Sequence, residues 1–131
     1  MADEVAHPHG EIAIRTLAMP ADANPAGDIF GGWVLGQMDI AGGFLASGHC
    51  GGRTVTVAVD AMKFHKPVHM GDEVSCYSRI VRVGRTSIAV MVETWVRRSR
   101  LGEPVHVTEG VFTYVAVDPE GRPIEVLNKA F

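Results

Sequence analysis

The clearest pattern along the chain is a change in hydrophobic period near Arg53. Before it, apolar residues from Trp33 to about Gly48 lie around most of a helical circumference and do not alternate with polar ones. Over about four turns, that pattern predicts one helix buried on nearly all sides. After it, β-branched residues predict four strands, which are Thr54–Val68, Glu73–Val83, Thr86–Arg98 and Val105–Asp118.

The breaks between these four runs are hairpin-like in length, so the runs are predicted to form a single antiparallel meander. A loose arm at residues 1–10, a short strand at Glu11–Leu17 and a loop at Met19–Gly32 precede the helix. The 131 residues are long enough for one ordinary domain and too short for two. We therefore predict a single α+β domain, residues 1–131, with a long curled antiparallel sheet wrapped around one central helix.

Two strand details sharpen this prediction. In the third run apolar residues occupy even positions, such as Ile88 and Val90, and also odd positions, such as Ala89 and Met91. Both faces of that strand should therefore be covered, one by the helix and the other by another subunit. In the first run the apolar phase shifts along the strand, which predicts a β-bulge near Ala61.

Composition narrows the class of protein. The chain is 47% hydrophobic with a mean hydropathy of +0.13, which suggests surface buried between subunits and hence a homo-oligomer. A net charge of -3 with scattered Lys and Arg argues against nucleic acid as a partner. With no apolar run long enough to span a membrane, we expect a cytoplasmic protein without membrane contact. We expect Cys50 and Cys76 to be reduced thiols without a chemical role.

Asp39 is the only carboxylate in the predicted helix. Burying an unpaired carboxylate costs on the order of several kcal/mol, so a carboxylate in an apolar helix indicates a specific role. Three of its four neighbours at helical spacing are glycines, namely Gly36, Gly42 and Gly43 beside Leu35. Because glycine destabilises a helix by roughly 0.5–1 kcal/mol, a ligand or a partner's backbone is expected to approach this surface. Asp39 is then a general base or nucleophile, or else a buried hydrogen-bond acceptor.

The approach to the helix carries the second candidate feature. Gly31 and Gly32 precede Trp33 at the helix start, where main-chain N–H groups lack helical partners and can hold an oxyanion. The alternative is that the glycines only permit close packing of Trp33. In the preceding loop, Asn24 and Asp28 are either site residues or ordinary turn and cap residues, and for Asp28 the turn interpretation is favoured.

No metal site is predicted. His65 and His69 alternate onto one strand face, but no acidic or thiol partner lies near them in sequence.

Several motifs together resemble the YciA-like acyl-CoA thioesterases of the hot-dog superfamily. They run in the family's order and spacing between about Arg15 and Val117. The matching segments are Asp22–Trp33, Gln37–Asp39, Gly52–Val59, Phe64–Val68, Gly71–Asp72 and Val83–Ser87.

The resemblance implies a hot-dog fold whose protomers pair edge to edge, with sites at the seam. It implies hydrolysis of acyl-CoA to free fatty acid and CoA, with Asp39 as the catalytic acid residue and Asn24 assisting from the partner. Gly31, Gly32 and Trp33 would hold the thioester carbonyl. The hairpin that would bind CoA comprises Gly84, Arg85, Thr86 and Ser87, with Arg82 nearby.

The resemblance further implies a homo-oligomer built from dimers, a hexamer or tetramer, with no cofactor beyond CoA itself, which is part of the substrate and product. Two other functions stay open. A hot-dog dehydratase would need a histidine at the helix entrance, where Ile29–Gly32 has none. A non-catalytic acyl-CoA binding module would have little use for Asp39 in an apolar tunnel.

Overall fold

The computed structural model describes residues 7–131, so the first six residues of the predicted loose arm lie outside the described part. A short 3-10 helix at Pro20–Asp22 follows the first strand. The main elements are β1 Glu11–Leu17, α1 Gly31–Cys50, β2 Thr54–Phe64, β3 Glu73–Val83, β4 Ser87–Arg97 and β5 Val105–Ala116. The one helix and five strands predicted from the sequence are confirmed.

The strand order of the sheet is β1-β3-β4-β5-β2, with every neighbouring pair antiparallel. The prediction of a single four-strand meander is wrong, because β2 pairs with β5 and not with β3. β2 ends at Phe64, and residues 65–72 carry the chain across to β3 instead of turning back as a hairpin. Only β3, β4 and β5 form a meander, and β1 and β2 are the two edges.

The predicted bulge in β2 is confirmed. Ala61 has φ 52, the only positive φ of a non-glycine residue in the described chain, and the register with β5 shifts between Asp60 and Lys63. A second irregularity lies between β4 and β5, where Trp95 pairs with His106 although Thr94 pairs with Thr108. One extra residue of β5 is accommodated there, which bends the strand and redirects its side chains.

Helix α1 lies across the sheet. It ends where Gly51 adopts a left-handed conformation with φ 74 and donates its N–H to the Ser47 carbonyl. Its buried positions are Val34, Met38, Ala41, Gly42 and Ala46. The opposite face leaves Ile40 61% and Phe44 76% exposed. Within one chain the helix is therefore buried on one side only, contrary to expectation, and an apolar strip faces outward.

Strand β4 is buried on both faces, as predicted, but residues of the same chain cover the outer face, where another subunit was expected. Glu93 on that face accepts a hydrogen bond from Trp95 Nε1 at 2.9 Å and lies 3.2 Å from His9 Nδ1. Cys50 and Cys76 are both free. Among the described residues, no helix is long and apolar enough to cross a bilayer.

Candidate active site

Asp39 projects from α1 toward the two strands at one side of the sheet. Its Oδ1 accepts a hydrogen bond from Thr56 Oγ1 of β2 at 2.7 Å. The Tyr114 hydroxyl of β5 lies 3.1 Å from the same oxygen and 2.8 Å from the Asp39 main-chain carbonyl, so it shares its proton between them. The hydrogen bonds found for this carboxylate within residues 7–131 all use Oδ1. The half-buried side chain is thus fixed through one oxygen, and Oδ2 remains available to a water molecule or substrate.

Tyr114 remains a neutral donor at physiological pH. Burial raises the pKa of its hydroxyl well above the ordinary value, and the negative charge of Asp39 and their hydrogen bond raise it further. A proton is therefore always available to hold Asp39 in place. The sequence reasoning missed both Tyr114 and Thr56, because each lies far from Asp39 in the chain and reaches it only through strand pairing.

The glycines beside Asp39 have two different reasons. A Cβ at Gly42 would lie 2.5 Å from the Tyr114 hydroxyl oxygen, and one at Gly43 would lie 3.3 Å from the Tyr114 ring. These two glycines admit a tyrosine of the same chain, which corrects the expectation that a ligand or partner approaches there. A Cβ at Gly36 would meet nothing within 4 Å, so a ligand or a partner can approach at that position.

The start of α1 presents free main-chain donors. The helix begins without a side-chain cap, and no acceptor for the N–H groups of Gly31 and Gly32 is found among the described residues. The N–H of Trp33, in contrast, donates to the Phe30 carbonyl at 3.0 Å. Trp33 therefore contributes no free donor, and the predicted oxyanion site narrows to the two glycines. A Cβ at Gly32 would meet nothing within 4 Å, so close packing does not explain that glycine.

Asn24 organises the loop that precedes the helix. Its Oδ1 accepts hydrogen bonds from the N–H groups of Ala26 at 2.9 Å and Asp28 at 3.1 Å. Asp28 Oδ1 lies 3.7 Å from His69 Nε2, as expected for a loop residue. Asn24 does serve as a turn residue, yet its Nδ2 amide has no acceptor among the described residues. No hydrogen bond joins Asn24 to Asp39 within the chain.

The hairpin between β3 and β4 is a tight turn, closed by the N–H of Gly84 donating to the Ser87 carbonyl at 2.8 Å. Arg82 and Arg85 are exposed and form no ion pair with any described residue. The C-terminal segment packs beside the turn, where Lys129 Nζ donates to the Gly84 carbonyl at 3.1 Å. Lys129, which the sequence reasoning missed, adds a positive charge to this surface, with Glu125 Oε1 3.9 Å from its Nζ.

The thiol of Cys76 does not compete with Asp39 as a nucleophile. Burial raises the pKa of the Cys76 thiol to about 11, so it is neutral at physiological pH. His65 and His69 have different neighbours in the structure. His69 lies beside Asp28, and His65 lies beside His106 and Glu109 of β5.

Comparison with known proteins identifies the family. The model of the thioesterase superfamily matches residues 26–103. The acyl-CoA thioester hydrolase YciA of Escherichia coli is 51% identical over 119 residues, which cover 88% of this chain and 90% of the relative. YciA of Salmonella typhimurium is 52% identical over the same shares of the two chains.

Solved structures agree in fold. A hexameric thioesterase from Yersinia pestis is 51% identical with a TM-score of 0.88, covering 93% of this chain and 99% of that one. A hexameric broad specificity acyl-coenzyme A thioesterase is 48% identical with a TM-score of 0.88, covering 94% of this chain and 85% of that one. The fold is the hot-dog fold, and the chain belongs to the YciA-like acyl-CoA thioesterases of the thioesterase superfamily.

Proposed function

We propose that this protein hydrolyses acyl-CoA thioesters to a free fatty acid and CoA. One observation carries the proposal: Asp39 is held through a single carboxylate oxygen by Thr56 and Tyr114 on a helix whose first two amides are unpaired. A general base and an oxyanion site are the two elements that thioester hydrolysis requires. Relatives at about half identity are named acyl-CoA thioester hydrolases, which supports the same substrate class here.

In the proposed reaction the thioester carbonyl oxygen accepts hydrogen bonds from the N–H groups of Gly31 and Gly32. A water molecule, held by Asp39 Oδ2 and Asn24 Nδ2, attacks the carbonyl carbon as Asp39 removes its proton. The tetrahedral oxyanion then collapses, the carbon–sulfur bond breaks, and CoA leaves as a thiolate. The donors would be worth roughly 10²–10³ each in rate and the base about 10²–10⁴. The alternative is direct attack by Asp39 through an anhydride.

Two protomers are needed to assemble this site. Gly31 and Asp39 are separated by about 12 Å along the axis of one helix. To span that distance, the amide, the thioester carbonyl, the water and the Asp39 carboxylate would have to lie almost on one line. A nucleophile instead approaches a carbonyl carbon at an angle to the C=O bond. An antiparallel pairing of two protomers removes this distance constraint. Asp39 of one protomer then faces Asn24 and the amides of Gly31 and Gly32 of the other. We propose this arrangement, with two sites per dimer.

The surface of the chain supports such a dimer. Edge strand β2 exposes Val57 by 56% and Phe64 by 58%. Helix α1 exposes a second apolar strip, Ile40 and Phe44, and Phe44 lies toward β1 at the other edge of the sheet. An open edge strand with exposed apolar side chains is a natural place for strand pairing between subunits. Solved structures of relatives are hexameric thioesterases. We therefore propose that this chain forms a hexamer of three such dimers and not a tetramer.

The hairpin charges fit the phosphate end of the substrate. Arg82 and Arg85 lie exposed at the β3–β4 turn without an ion pair among the described residues, and Lys129 beside them has Glu125 Oε1 at 3.9 Å. Guanidinium groups bind phosphates through paired N–H donors. We propose that CoA phosphates bind here, at the turn formed by Gly84 to Ser87. The proposed hydrolysis requires water, the substrate and these groups. We further propose that the protein acts in the cytoplasm, with which its free cysteines are compatible.

The test is Asp39→Asn, which retains an oxygen to accept the Thr56 and Tyr114 hydrogen bonds. We expect kcat for acyl-CoA to fall by about 10²–10⁴, measured by free-thiol release, with CoA binding within about twofold of the original protein. Glu103→Gln, which removes an exposed charge in the β4–β5 loop, is the control and should hydrolyse normally. Undiminished hydrolysis by Asp39→Asn would refute the role of this carboxylate. Incorporation of ¹⁸O from labelled water into the Asp39 carboxylate would indicate the anhydride mechanism.

The shared site is tested by mixing two inactive variants. Asp39→Ala and Asn24→Ala should each be nearly inactive alone. When the two are refolded together, each mixed dimer contains one site with both residues intact, so about a quarter of all sites should recover. No recovery in verified mixed dimers would mean that Asp39 and Asn24 act within one protomer.

A further inference from the structure

A cluster of three potential metal ligands lies at the start of β5, apart from Asp39. His65, His106 and Glu109 each offer one donor atom, and these atoms all lie within 4.8 Å of one another. His65 Nε2 is 3.2 Å and His106 Nε2 is 3.6 Å from the same oxygen, Glu109 Oε1. Two imidazoles and a carboxylate around one point form a common ligand set for zinc.

The cluster exists because of the bulge in β5. Residues three apart on a regular strand point to opposite faces of the sheet, so His106 and Glu109 would be separated. The extra residue accommodated where Trp95 pairs with His106 restores both side chains to one face. Glu109 is far from His65 in sequence and reaches it only through the pairing of β2 with β5.

The ligands are held in place by contacts outside the cluster. The His106 ring stacks on Trp95 with centroids 4.8 Å apart and an interplanar angle of 12°. The main-chain N–H of His65 donates to the Val107 carbonyl at 2.8 Å. Fixed ligand orientation lowers the cost of binding, because less side-chain freedom is lost.

The two nitrogen–oxygen separations are close to those around a tetrahedral ion, and the two histidine donor atoms lie within 4.8 Å of each other. Ligands at about 2.05 Å from zinc in tetrahedral geometry lie roughly 3.3 Å from each other, between the two nitrogen–oxygen distances observed. His106 Nε2 also lies 3.1 Å from the Thr108 carbonyl oxygen. In one tautomer that nitrogen donates to the carbonyl, so binding an ion requires the other tautomer and the loss of this hydrogen bond.

We infer that His65, His106 and Glu109 bind a divalent transition-metal ion of the zinc class. Two imidazole nitrogens select zinc, nickel or copper over magnesium and calcium, which prefer oxygen ligands. The side chain of His65 is 41% exposed, so one coordination position faces solvent and accepts water. The ion would join the segment after β2 to β5 and thereby stabilise that end of the sheet. The inference is independent of the proposed hydrolysis.

The test uses the intact oligomer freed of metal by chelation and then dialysed against zinc chloride on the order of 10 μM. We expect one zinc per chain, a higher melting temperature with zinc, and no such rise with magnesium. Cobalt in place of zinc should give the absorption of a four-coordinate ion. His65→Ala and Glu109→Gln should each weaken zinc binding by roughly tenfold or more and remove the thermal shift.

His9→Ala is the matched control, because the rings of His7 and His9 also lie close together, with centroids 5.2 Å apart. It should bind zinc as the original protein does. Melting without metal verifies that all variants fold, since the replaced side chains are partly exposed. The inference is overturned if the original protein takes up no zinc, or if His9→Ala abolishes uptake and His65→Ala does not.

Discussion

Replacing Gly42 by alanine provides a sharp test of how Asp39 is held. A methyl group at this position would lie 2.5 Å from the Tyr114 hydroxyl oxygen and 3.1–3.2 Å from two ring carbons. A distance of 2.5 Å is too short for a real contact and 3.1–3.2 Å is tight, so the tyrosine must move if the helix and strand backbones stay in place. When it moves, Asp39 loses the hydrogen bond that comes from β5.

The magnitude follows from three opposing effects. Alanine stabilises a helix by roughly 0.5–1 kcal/mol relative to glycine. Overpacking costs about 1–3 kcal/mol, and losing a hydrogen bond to a charged group costs about 1.5–3 kcal/mol. We therefore expect Gly42→Ala to destabilise the protein by about 2–5 kcal/mol, which corresponds to a melting temperature lower by roughly 7–18 °C for this length.

The assays are thermal or urea unfolding and thiol release from acyl-CoA. Gly36→Ala is the control, because its methyl group would meet nothing within 4 Å in the same helix. It should raise the melting temperature by roughly 2–4 °C. Gly42→Ala should also lower kcat, since the carboxylate is no longer fixed by Tyr114.

A double-mutant cycle with Tyr114→Phe decides the cause. Tyr114→Phe removes the oxygen nearest to the added methyl group, so the pair should be less destabilised than the sum of the single variants by at least about 1 kcal/mol. If the two effects simply add, or if Gly42→Ala is as stable as Gly36→Ala, the reasoning from the Tyr114 contact is refuted.

Two further predictions concern charges. Arg85→Ala should raise KM for acyl-CoA by roughly tenfold with kcat little changed, whereas Arg100→Ala, an equal charge loss at the far end of β4, should leave KM unaltered; equal effects would argue against phosphate binding at the hairpin. The hydrogen-bonded guanidinium of Arg97 holds the pKa of Glu73 below its ordinary value, so their pair stabilises the fold above about pH 4.3 and loses that contribution as pH falls through the lowered pKa. The stability difference between the original protein and Arg97→Met should therefore be constant near neutral pH and shrink in acid, as urea unfolding across pH can measure; a difference that stays constant into strong acid would contradict this.

The helix and the strands were predictable because their signals are local. An apolar run without alternation gave α1, and the phase shift near Ala61 gave the bulge in β2. Strand order was not predictable in this way. The short breaks between runs suggested consecutive pairing, but residues 65–72 cross the sheet and place β2 beside β5.

The residues of the candidate site likewise differ in whether they have a local sequence signal. Asp39 was visible as a charge in an apolar helix, and Gly31 and Gly32 were visible at the helix start. Tyr114 and Thr56 were not, because their distance from Asp39 in sequence is closed only by the sheet. The glycines around Asp39 indicate a close approach, but the approaching group at Gly42 and Gly43 is Tyr114 of the same chain, which the sequence does not reveal. The bulge that unites His106 with Glu109 leaves no sequence signal of its own.

The position of β2 at the edge of the sheet bears on how the protein loses activity under stress. An edge strand is hydrogen-bonded on one side only, so its amides exchange with solvent earlier than those of the central strand β4. Thr56 lies on β2, and when that strand frays Asp39 is released from one of its two supports while the core stays folded. Inactivation can then precede unfolding, and subunit pairing along β2 would delay both. Subunit association would in that way preserve function as well as complete the site.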